Sequence, residues 1–283
     1  MLLKYTNAGG VSLELRQSPP YFLKKLDGVG DIHQSVNTFK ASDQDGSFYI
    51  NSTLDMRNIT LEGAIVAATP DEAYELRKRL LKVFTPKQQG TVTYRDRRIG
   101  CVVEDIKIVI SSKERAPGFF ISLLCPSPFF ETLDSVRKEL AAWQSLFKFI
   151  LEIPASGIEF GSRQPSQIIT LENIGDVACG CEIVFRALGV VTNPELMNLE
   201  TSEYVRILKT MAAGEEIHVF THFAGKRVVN VTGHTSVNAF HYFDTGSTFL
   251  QLNVGNNLLR YDAATNLDLL ECIVFLNPLF LGI

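Results

Sequence analysis

Alternation of apolar and polar residues, rather than helical spacing, characterises most of this 283-residue chain. Short alternating runs between turns are typical of half-buried β-strands. In the first half these runs are bounded by polar turns such as Asp27-Gly28 and Ser42-Asp-Gln-Asp-Gly46. The strands predicted there are Phe22–Leu26, Ser47–Ile50, Arg57–Gly63, Gly90–Tyr94, Ile99–Glu104, Ile106–Ile110 and Phe119–Leu124.

Beyond Pro154 the same pattern continues, with turns about every 8–12 residues. The strands predicted there are Gln167–Leu171, Cys181–Leu188, Tyr204–Leu208, Glu216–Phe220, Arg227–Val231, Thr248–Leu252, Asn257–Tyr261 and Leu269–Leu276. Their number and spacing predict a sandwich or jelly roll.

The segment after residue 68 carries the clearest helix signals. Thr69-Pro-Asp-Glu72 is a capping box in which Pro70 takes the first helical position. Basic residues gather in the C-terminal half of the segment, where the helix dipole is negative. Apolar residues recur on one face at spacings of three and four. We therefore predict one amphipathic helix over Pro70–Phe84.

A break in the strand pattern marks the boundary between two domains. Neither proline of Cys125-Pro-Ser-Pro128 can donate to a central ladder. Helical spacing follows, in the residues Val136, Leu140, Trp143 and Phe147. The predicted fold is mainly β with minor α. It comprises an N-terminal domain at residues 1–130, a helical linker at 131–154 and a C-terminal β-sandwich domain at 155–283.

Composition narrows the class of protein. The length suits one large or two ordinary domains, and 46% hydrophobic residues can fill a sizeable core. A net charge of −4 gives no overall basic field for nucleic acid or anionic membranes. No apolar run approaches the roughly 20 residues needed to span a bilayer. The first residues lack the pattern of a secretory signal, so we expect folding in a cytoplasm.

The five cysteines favour a reducing compartment, because an odd number argues against a complete disulfide framework. Cys101, Cys125 and Cys272 lie in or beside apolar runs, where a thiol acts as a small hydrophobe. Cys179-Gly-Cys181 has no second ligand pair at the spacing of a zinc site. We interpret it as a turn with two buried or half-buried thiols.

Two further motifs resemble metal sites only superficially. His218 and His222 would share a face on a helix, but on the strand predicted here they lie roughly 13 Å apart. Asp43-Gln-Asp45-Gly46 lacks the third acidic position and the terminal Glu of a calcium loop. We interpret the histidines as structural or exposed and the aspartates as a solvated turn.

Signals for catalysis are weak. Leu26-Asp-Gly-Val-Gly-Asp31 lacks the βαβ context of a dinucleotide fingerprint, and Gly161-Ser-Arg163 is interpreted as a loop. Distant acids of a sandwich can still meet in space, so glycoside hydrolysis stays open. No catalytic, cofactor-binding or metal-binding residue is assigned, no cofactor is expected, and the chain is predicted not to be an enzyme.

Aromatic residues of the second half allow two interpretations. They are Phe220, Phe223, Phe240, Tyr242 and Phe243. Filling the interior of the sandwich is the favoured one, and an exposed platform for stacking on sugars is the other. His241-Tyr-Phe-Asp244 is the piece to test first as an exposed exception.

Two separate segments, Leu171–Val177 and Phe249–Leu258, place asparagine and glycine between apolar runs. Such residues favour a tight bend between two β-strands. Neither segment carries a catalytic group, and their value lies in what they resemble.

The order of short segments along the chain resembles the distal tail protein family of long-tailed phages, the siphovirus tail-component group. The segments are Arg57-x-Ile-x-Leu-x-Gly63, Gly90-Thr-Val-Thr-Tyr94, Cys125-Pro-Ser-Pro-Phe-Phe130, Ile158-Glu-Phe-Gly-Ser-Arg163, Thr170–Val177, Glu182–Gly189, Val191–Pro194, Met211–Ile217, Phe249–Asn257 and Phe280-Leu-Gly282. Family members often carry a proline-rich segment where this chain has Ala178-Cys-Gly-Cys181. The C-terminal domain has no large insertion, so the chain resembles the compact form of the family.

The resemblance implies a structural hub of a phage or prophage tail tip or baseplate. Its N-terminal domain, β-sandwich-like with one helix, would form a homohexameric ring, with a galectin-like C-terminal β-sandwich outside. Implied partners are further copies of the chain, the tail tube protein, a tail-tip or tail-associated protein, a receptor-binding protein and the tape measure. DNA would only pass through the channel, and no membrane insertion is implied. The implied location is the virion tail tip, after synthesis in the cytoplasm of a bacterial host.

Two hypotheses concern the ring itself. Edge strands, or a hairpin arm such as Lys40–Ile50, would pair with a neighbouring copy and cover exposed edges. Arg57 and the Arg95–Arg98 cluster are candidates for a basic lining toward DNA, with a solvated charged turn as the favoured interpretation of the cluster.

Two other functions remain as alternatives to the hub. The first is a carbohydrate-binding module in residues 155–283 that recognises host cell-wall glycans, in which Tyr242 would contribute. The second is a glycan- or peptidoglycan-cleaving enzyme, which needs two acids within reach of each other.

Overall fold

The chain forms two compact units. The computed structural model describes residues 2–109, 116–145, 161–165, 168–233 and 235–283. Unit 1 comprises Met1–Leu133 together with Leu279–Ile283, and unit 2 comprises Asp134–Pro278. Each unit is described by itself below.

Among its described residues, unit 1 has ten strands before residue 133 and one helix. They are β1 (Leu2–Asn7), β2 (Ser12–Arg16), β3 (Tyr21–Asp27), β4 (Gln34–Phe39), β5 (Phe48–Leu54), β6 (Arg57–Ile65), α1 (Pro70–Val83), β7 (Gln89–Tyr94), β8 (Arg97–Val109), β9 (Gly118–Cys125) and β10 (Phe130–Thr132).

The described part of unit 2 is built from strands and two short 3₁₀ turns, Phe240–Tyr242 and Leu267–Leu269. Its strands are β11 (Val136–Glu139), β12 (Ala141–Ser145), β13 (Gly161–Pro165), β14 (Ile168–Asn173), β15 (Cys179–Ala187), β16 (Val191–Asn198), β17 (Tyr204–Arg206), β18 (Thr210–Met211), β19 (Glu216–Phe220), β20 (Arg227–Thr232), β21 (Thr235–Asn238), β22 (Gln251–Leu252), β23 (Gly255–Thr265) and β24 (Leu270–Leu276). The chain then returns to unit 1 as β25 (Leu279–Phe280).

Nine strands of unit 1 form one sheet that closes on itself. Their order is β25-β10-β8-β7-β1-β2-β3-β6-β9, and β8 also pairs with β9. The predicted strands Ile99–Glu104 and Ile106–Ile110 belong to one strand, β8, whose register shifts between Val103 and Asp105. Such a bulge bends a long strand, which helps a sheet to close.

Helix α1 forms as the sequence predicts. Thr69 is its N-cap and its hydroxyl accepts from the Glu72 amide at 3.2 Å, while the Glu72 carboxylate accepts from the Ala68 amide at 2.8 Å. Leu80, Val83 and the following Phe84 are buried. The Phe84 ring stacks on Tyr5 with 4.2 Å between ring centroids. Burial raises the pKa of the Tyr5 hydroxyl to about 12.

Unit 2 is a sandwich of two sheets. One has the order β11-β24-β15-β19-β20-β21, with β22 also paired to β15, and the other has the order β14-β23-β16-β17, with β18 paired to β16. Alternate residues such as Ile183, Phe185 and Val274 of the first sheet, and Leu196 and Tyr261 of the second, are fully buried. The prediction of a mainly β fold with a C-terminal sandwich is confirmed.

The predicted helix over Val136–Phe147 is wrong where the structure describes it. Val136–Glu139 is β11, which pairs with β24, and Ala141–Ser145 is β12, which pairs with β13. Residues 134–145, which the sequence assigned to a helical linker, lie in unit 2. Cross-strand pairing decides the structure here, since four apolar residues at helical spacing carry little weight against a backbone ladder. Phe147 and the rest of the linker lie outside the described residues.

Strand β16 is absent from the sequence-based prediction because it contains a proline. Pro194 lies opposite Ala263 of β23, in a strand that has partners on both sides. Asn193 before it has a φ of 50°, and the Pro194 carbonyl accepts from the Ile207 amide at 3.0 Å. The strand is thus irregular at the proline, which explains how the sheet tolerates it.

The two asparagine and glycine turns connect the sheets of the sandwich. Leu171–Val177 leads from β14 into β15, and Phe249–Leu258 leads from β22 into β23, so each joins strands of different sheets. The two segments also face each other, because Leu171 pairs with Asn257 and Asn173 with Gly255. The sequence predicted the bends but not their contact.

Asparagine side chains brace these turns. The Asn173 side-chain amide donates to the carbonyls of Val177 at 3.0 Å and Leu252 at 3.1 Å. The side-chain Oδ1 of Asn257 accepts from the backbone amide of Asn253 at 2.9 Å, and its Nδ2 donates to the backbone carbonyl of Asn253 at 2.8 Å. Both asparagine side chains are buried, and these bonds satisfy their polar groups inside the protein.

Candidate assembly surface

A hairpin of unit 1 stands apart from its sheet. We call Gln34–Leu54, which comprises β4, β5 and their turn, the arm. In the part of the chain that the structure describes, β4 and β5 pair only with each other. The pairing runs from Gln34 opposite Leu54 to Phe39 opposite Phe48, with a register shift after Asn37.

The sequence explains why a hairpin forms here. Asp43 and Gly46 adopt positive φ angles of 59° and 78° in the turn, which suits aspartate and glycine. The Asn37 side chain donates to that of Asn51 at 2.7 Å across the strands. The arm is longer than the predicted segment Lys40–Ile50. The prediction omitted Gln34–Phe39, because this stretch looks like a polar loop when considered alone. Phe39 and Phe48, which flank the turn, are the signal that would have revealed the pairing.

Apolar side chains of the arm lie in solvent. All six residues of β4 are exposed. Among the large apolar residues, the exposed fractions are 57% for Phe39, 60% for Phe48, 65% for Tyr49 and 60% for Ile50. Monomeric proteins seldom leave adjoining large apolar side chains uncovered, and such patches mark interaction sites.

An isolated two-stranded hairpin is at best marginally stable in water. The arm has unpaired backbone groups along both outer edges and uncovered aromatic rings. Covering each ring contributes roughly 1.5–3 kcal/mol. Pairing of an outer edge with another chain would satisfy the backbone groups as well. The arm is therefore the assembly surface for which the structure gives the best support.

Several aromatic side chains of unit 2 are also exposed or half-buried. Phe223 is 94% exposed and Phe240 is 49% exposed. Phe243 stacks on Phe249 at 4.7 Å between ring centroids, and Phe240 lies 5.8 Å from Phe243. Tyr242 is half-buried beside them. None of these rings is fully buried, so the favoured interpretation that they fill the sandwich is wrong.

Phe220 is also only half-buried, because it lies on the outer side of β19. The Arg227 guanidinium covers its ring at 3.8 Å from the centroid. Its neighbours Ile217 and Val219 point inward and are fully buried. The sequence alternation predicted this strand correctly, but the aromatic character of Phe220 suggested the wrong face.

His218 lies between two carboxylates. Its Nδ1 is 2.8 Å from Glu182 and its Nε2 is 3.3 Å from Glu216. The hydrogen bond with Glu182 is the main cause that raises the pKa of His218 above its ordinary value. His218 lies on β19 and His222 beyond its end, as the strand interpretation expects. The described residues contain no cluster of three or more side chains suited to hold a metal ion.

The two cysteines of Cys179-Gly-Cys181 are part of the sandwich. Both lie in β15 and are buried. The Cys181 amide donates to the Thr221 hydroxyl at 2.8 Å, and burial raises the pKa of the Cys181 thiol to about 12. Thiols held in this state are poor metal ligands, since binding needs the thiolate. The segment lies in a strand rather than the predicted turn.

The proposed basic lining is wrong for Arg57. This side chain is 4% exposed and donates to main-chain carbonyls, including those of Gly28 at 2.7 Å and Pro128 at 2.9 Å. Arg97 donates to the Gly282 carbonyl at 2.6 Å, and Arg98 is 3.5 Å from Glu131. Arg95 is exposed in the turn before β8, which fits the favoured interpretation of a solvated turn.

Comparisons with known proteins agree with this architecture. Residues 8–125 match the family model described as phage tail protein RIFT-related domain. Residues 174–269 match the model described as siphovirus-type tail component, C-terminal domain. A search of curated proteins gave no match. No helix among the described residues has the length and apolar character needed to cross a membrane.

Similar solved structures come from phage tails. The chain shares 12% identity with SPP1 Dit at a TM-score of 0.72, covering 99% of this chain and 100% of that one. SPP1 Dit is described as a paradigm of the hub adsorption apparatus in phages that infect Gram-positive bacteria. The activated baseplate of phage p2 with Sr gives 10% identity and a TM-score of 0.56, covering 97% of both chains. The same baseplate with Ca gives 11% identity and a TM-score of 0.53, also covering 97% of both.

A closed β-sheet unit followed by a β-sandwich, matched in order by these two models, defines a structural component of a phage tail. The chain belongs to the siphovirus distal tail protein family.

Proposed function

We propose that the chain is the hub of a tail tip or baseplate, where six copies form a ring through unit 1. The arm carries this proposal, because it presents aromatic rings and strand edges that no other described part of the chain covers. Family membership and the likeness in fold to SPP1 Dit support the same role.

Ring geometry follows from the arm if each copy extends it onto the next. A contact between different surfaces of two identical chains repeats head to tail, and it closes when the rotation divides a full turn. Each copy would then give one arm and receive one. No apolar arm would remain uncovered in a closed ring.

Mass in solution tests the hub. We expect native mass spectrometry to find hexamers of the purified chain, and monomers when Lys40–Ile50 is replaced by a short glycine-rich turn. A folded hexamer without this segment would contradict the role of the arm. A strict monomer, at high concentration and with the tail tube protein added, would contradict the hub.

The proposed hub also implies particular neighbours and a location for the chain. The ring would join the tail tube protein on one side to the tail-tip or tail-associated protein on the other. The receptor-binding protein and tape measure would be further neighbours, and DNA would pass through the bore. The chain would work in the virion tail tip after synthesis in the host cytoplasm, with a structural role and no turnover. We also propose that unit 2, which includes most of the predicted C-terminal domain at residues 155–283, acts as the outer galectin-like domain.

The exposed aromatic side chains of unit 2 favour a second candidate, the binding of cell-wall glycans. Phe223 and Phe240 offer uncovered rings, and sugars stack on such rings. We expect Phe223→Ala and Tyr242→Ala to weaken binding of the full chain to isolated cell-wall polysaccharide if this function exists. Equal retention of both variants and the unaltered chain would exclude it.

A further inference from the structure

The root of the arm is held by one buried arginine. Arg57 follows the arm directly and begins β6, and it is 4% exposed. Its guanidinium donates to the carbonyl of Gly28, which precedes the arm, and to that of Leu281, which follows unit 2. The same group lies 5.0 Å from the centroid of the Phe130 ring. Arg57 thus connects both sides of the arm root to a distant part of the chain.

Residues 279–283 are fixed to unit 1 by several independent contacts. Phe280 pairs with Phe130 in the β10–β25 ladder and is 6% exposed. The Arg97 guanidinium lies 3.6 Å from the centroid of the Phe280 ring and donates to the Gly282 carbonyl at 2.6 Å. Gly282 also lies against the start of the arm root, since a Cβ built on it would be 3.3 Å from the Val29 carbonyl oxygen.

Hydrogen bonds also join the two sides of the arm root. The Asp55 amide donates to the His33 carbonyl at 3.0 Å, and the Ser35 hydroxyl donates to the Asp55 carboxylate at 2.9 Å. Gly28 has a φ of 86°, and a Cβ there would lie 2.0 Å from the Asn58 carbonyl oxygen, so its position is closely defined. The direction of the arm is therefore set where Gly28, Arg57 and residues 279–283 meet.

We propose that residues 279–283 form a latch that fixes the arm root, so that a chain gains a ring-competent arm only after its second unit has been made. This inference rests on the proposed ring. Because residues 55–278 come between the arm and the latch, translation delays the latch by roughly 11–45 s at 5–20 residues per second. Until then the arm is free to sample many directions, and ordering it on a neighbour costs additional entropy.

Two substitutions in the full chain test the latch. Phe280→Ala removes the ring held between Phe130 and Arg97, and Arg97→Gln removes the bond to Gly282 while keeping the strand pair. Arg95→Gln is the matched control, because that exposed arginine is two residues from Arg97 and its guanidinium lies over the Tyr94 ring, 5.5 Å from the centroid. Hydrogen exchange of β4, β5 and Asp55, measured on dilute monomer by mass spectrometry, reports on the arm root.

We expect amide exchange in the arm and at Asp55 to become about tenfold faster in both latch variants and to stay unchanged in Arg95→Gln. The protein concentration at half ring formation should rise about tenfold in the same two variants. If Phe280→Ala also speeds amide exchange in β1 and β7, that substitution destabilises unit 1 as a whole. The exchange measured in Arg97→Gln then tests the latch. Unchanged arm exchange in Arg97→Gln would overturn the latch.

The outcomes separate the two proposals. Rings that form equally well in all variants, with unchanged exchange, refute the latch and leave the hub in place. A chain that never forms rings, yet whose arm exchanges faster in the two variants than in the control, supports the latch and refutes the ring.

Discussion

Two pairs of asparagine residues in this molecule differ in their burial and in the groups to which they bond. In unit 2, buried Asn173 and Asn257 bond to backbone groups where two turns meet. In the arm, Asn37 and Asn51 bond to each other at the surface and cover nothing. The first region is complete within the chain, whereas the second leaves rings and strand edges uncovered. This difference in exposure is the reason for placing the proposed ring contact at the arm.

The largest expected effect is on ring formation and concerns the arm. Replacing Phe48 and Tyr49 together by serine should raise the concentration needed for ring formation at least about 100-fold, because two exposed aromatic anchors are lost. Sedimentation at several concentrations measures it. Phe223→Ser is the control, since that ring is more exposed and lies in unit 2. Equal weakening by the control would remove the distinction between the two surfaces.

A large effect on folding is expected at the paired turns. Asn257→Ala removes a fully buried side chain that bonds to both the amide and the carbonyl of Asn253. The free energy of unfolding should fall by about 1–3 kcal/mol. Differential scanning calorimetry measures the loss. Asn37→Ala in the arm should change stability by less than about 0.5 kcal/mol, and similar losses in the two variants would contradict the contrast.

A smaller effect is expected at the N-terminus of α1. Thr69→Ala removes the hydroxyl that caps the Glu72 amide and should destabilise unit 1 by about 1 kcal/mol. Thr53→Ala on the exposed side of the arm is the matched substitution and should be close to neutral. The same calorimetric measurement applies. An equal loss at Thr53 would mean that the arm packs more firmly than its exposure indicates.

The smallest expected effect depends on pH. The carboxylates of Glu182 and Glu216 raise the pKa of His218 in the folded chain, so the protonated form is favoured by folding. The resulting stabilisation is fully present below about pH 6.5, the unfolded value, and is lost as pH rises through the folded pKa. His218→Gln should flatten the stability profile over this range. Arg186, which lies 2.6 Å from Glu216, competes for that carboxylate and keeps the effect modest.

Much of the fold was predictable from local pattern, since α1 and strands such as Glu216–Phe220 have the predicted limits or nearly so. Errors arose where tertiary pairing overrides local preference. Val136–Glu139 follows the ladder of β24, and Pro194 lies within a paired strand. The sequence predicted only part of the arm, because Gln34–Phe39 has no apolar pattern of its own.

The role of Arg57 was not predictable for a different reason. An arginine beside an alternating strand looks like a surface charge in sequence, and only the fold brings carbonyls from Gly28, Pro128 and Leu281 around it. The turns at Asn173 and Asn257 show the same limit. Each bend is evident locally, but their contact depends on how two sheets are stacked.

The return of the chain through β25 also has a mechanical consequence. The chain leaves unit 1 after β10 and returns to it at β25, and these two strands are hydrogen-bonded neighbours. A pulling force on unit 2, as when a virion is tethered to a cell, would therefore be shared by two adjacent strands instead of a single linker. The same arrangement makes residues 134–278 an exchangeable cassette whose two ends are side by side. A foreign domain with neighbouring termini could be inserted there without opening the sheet.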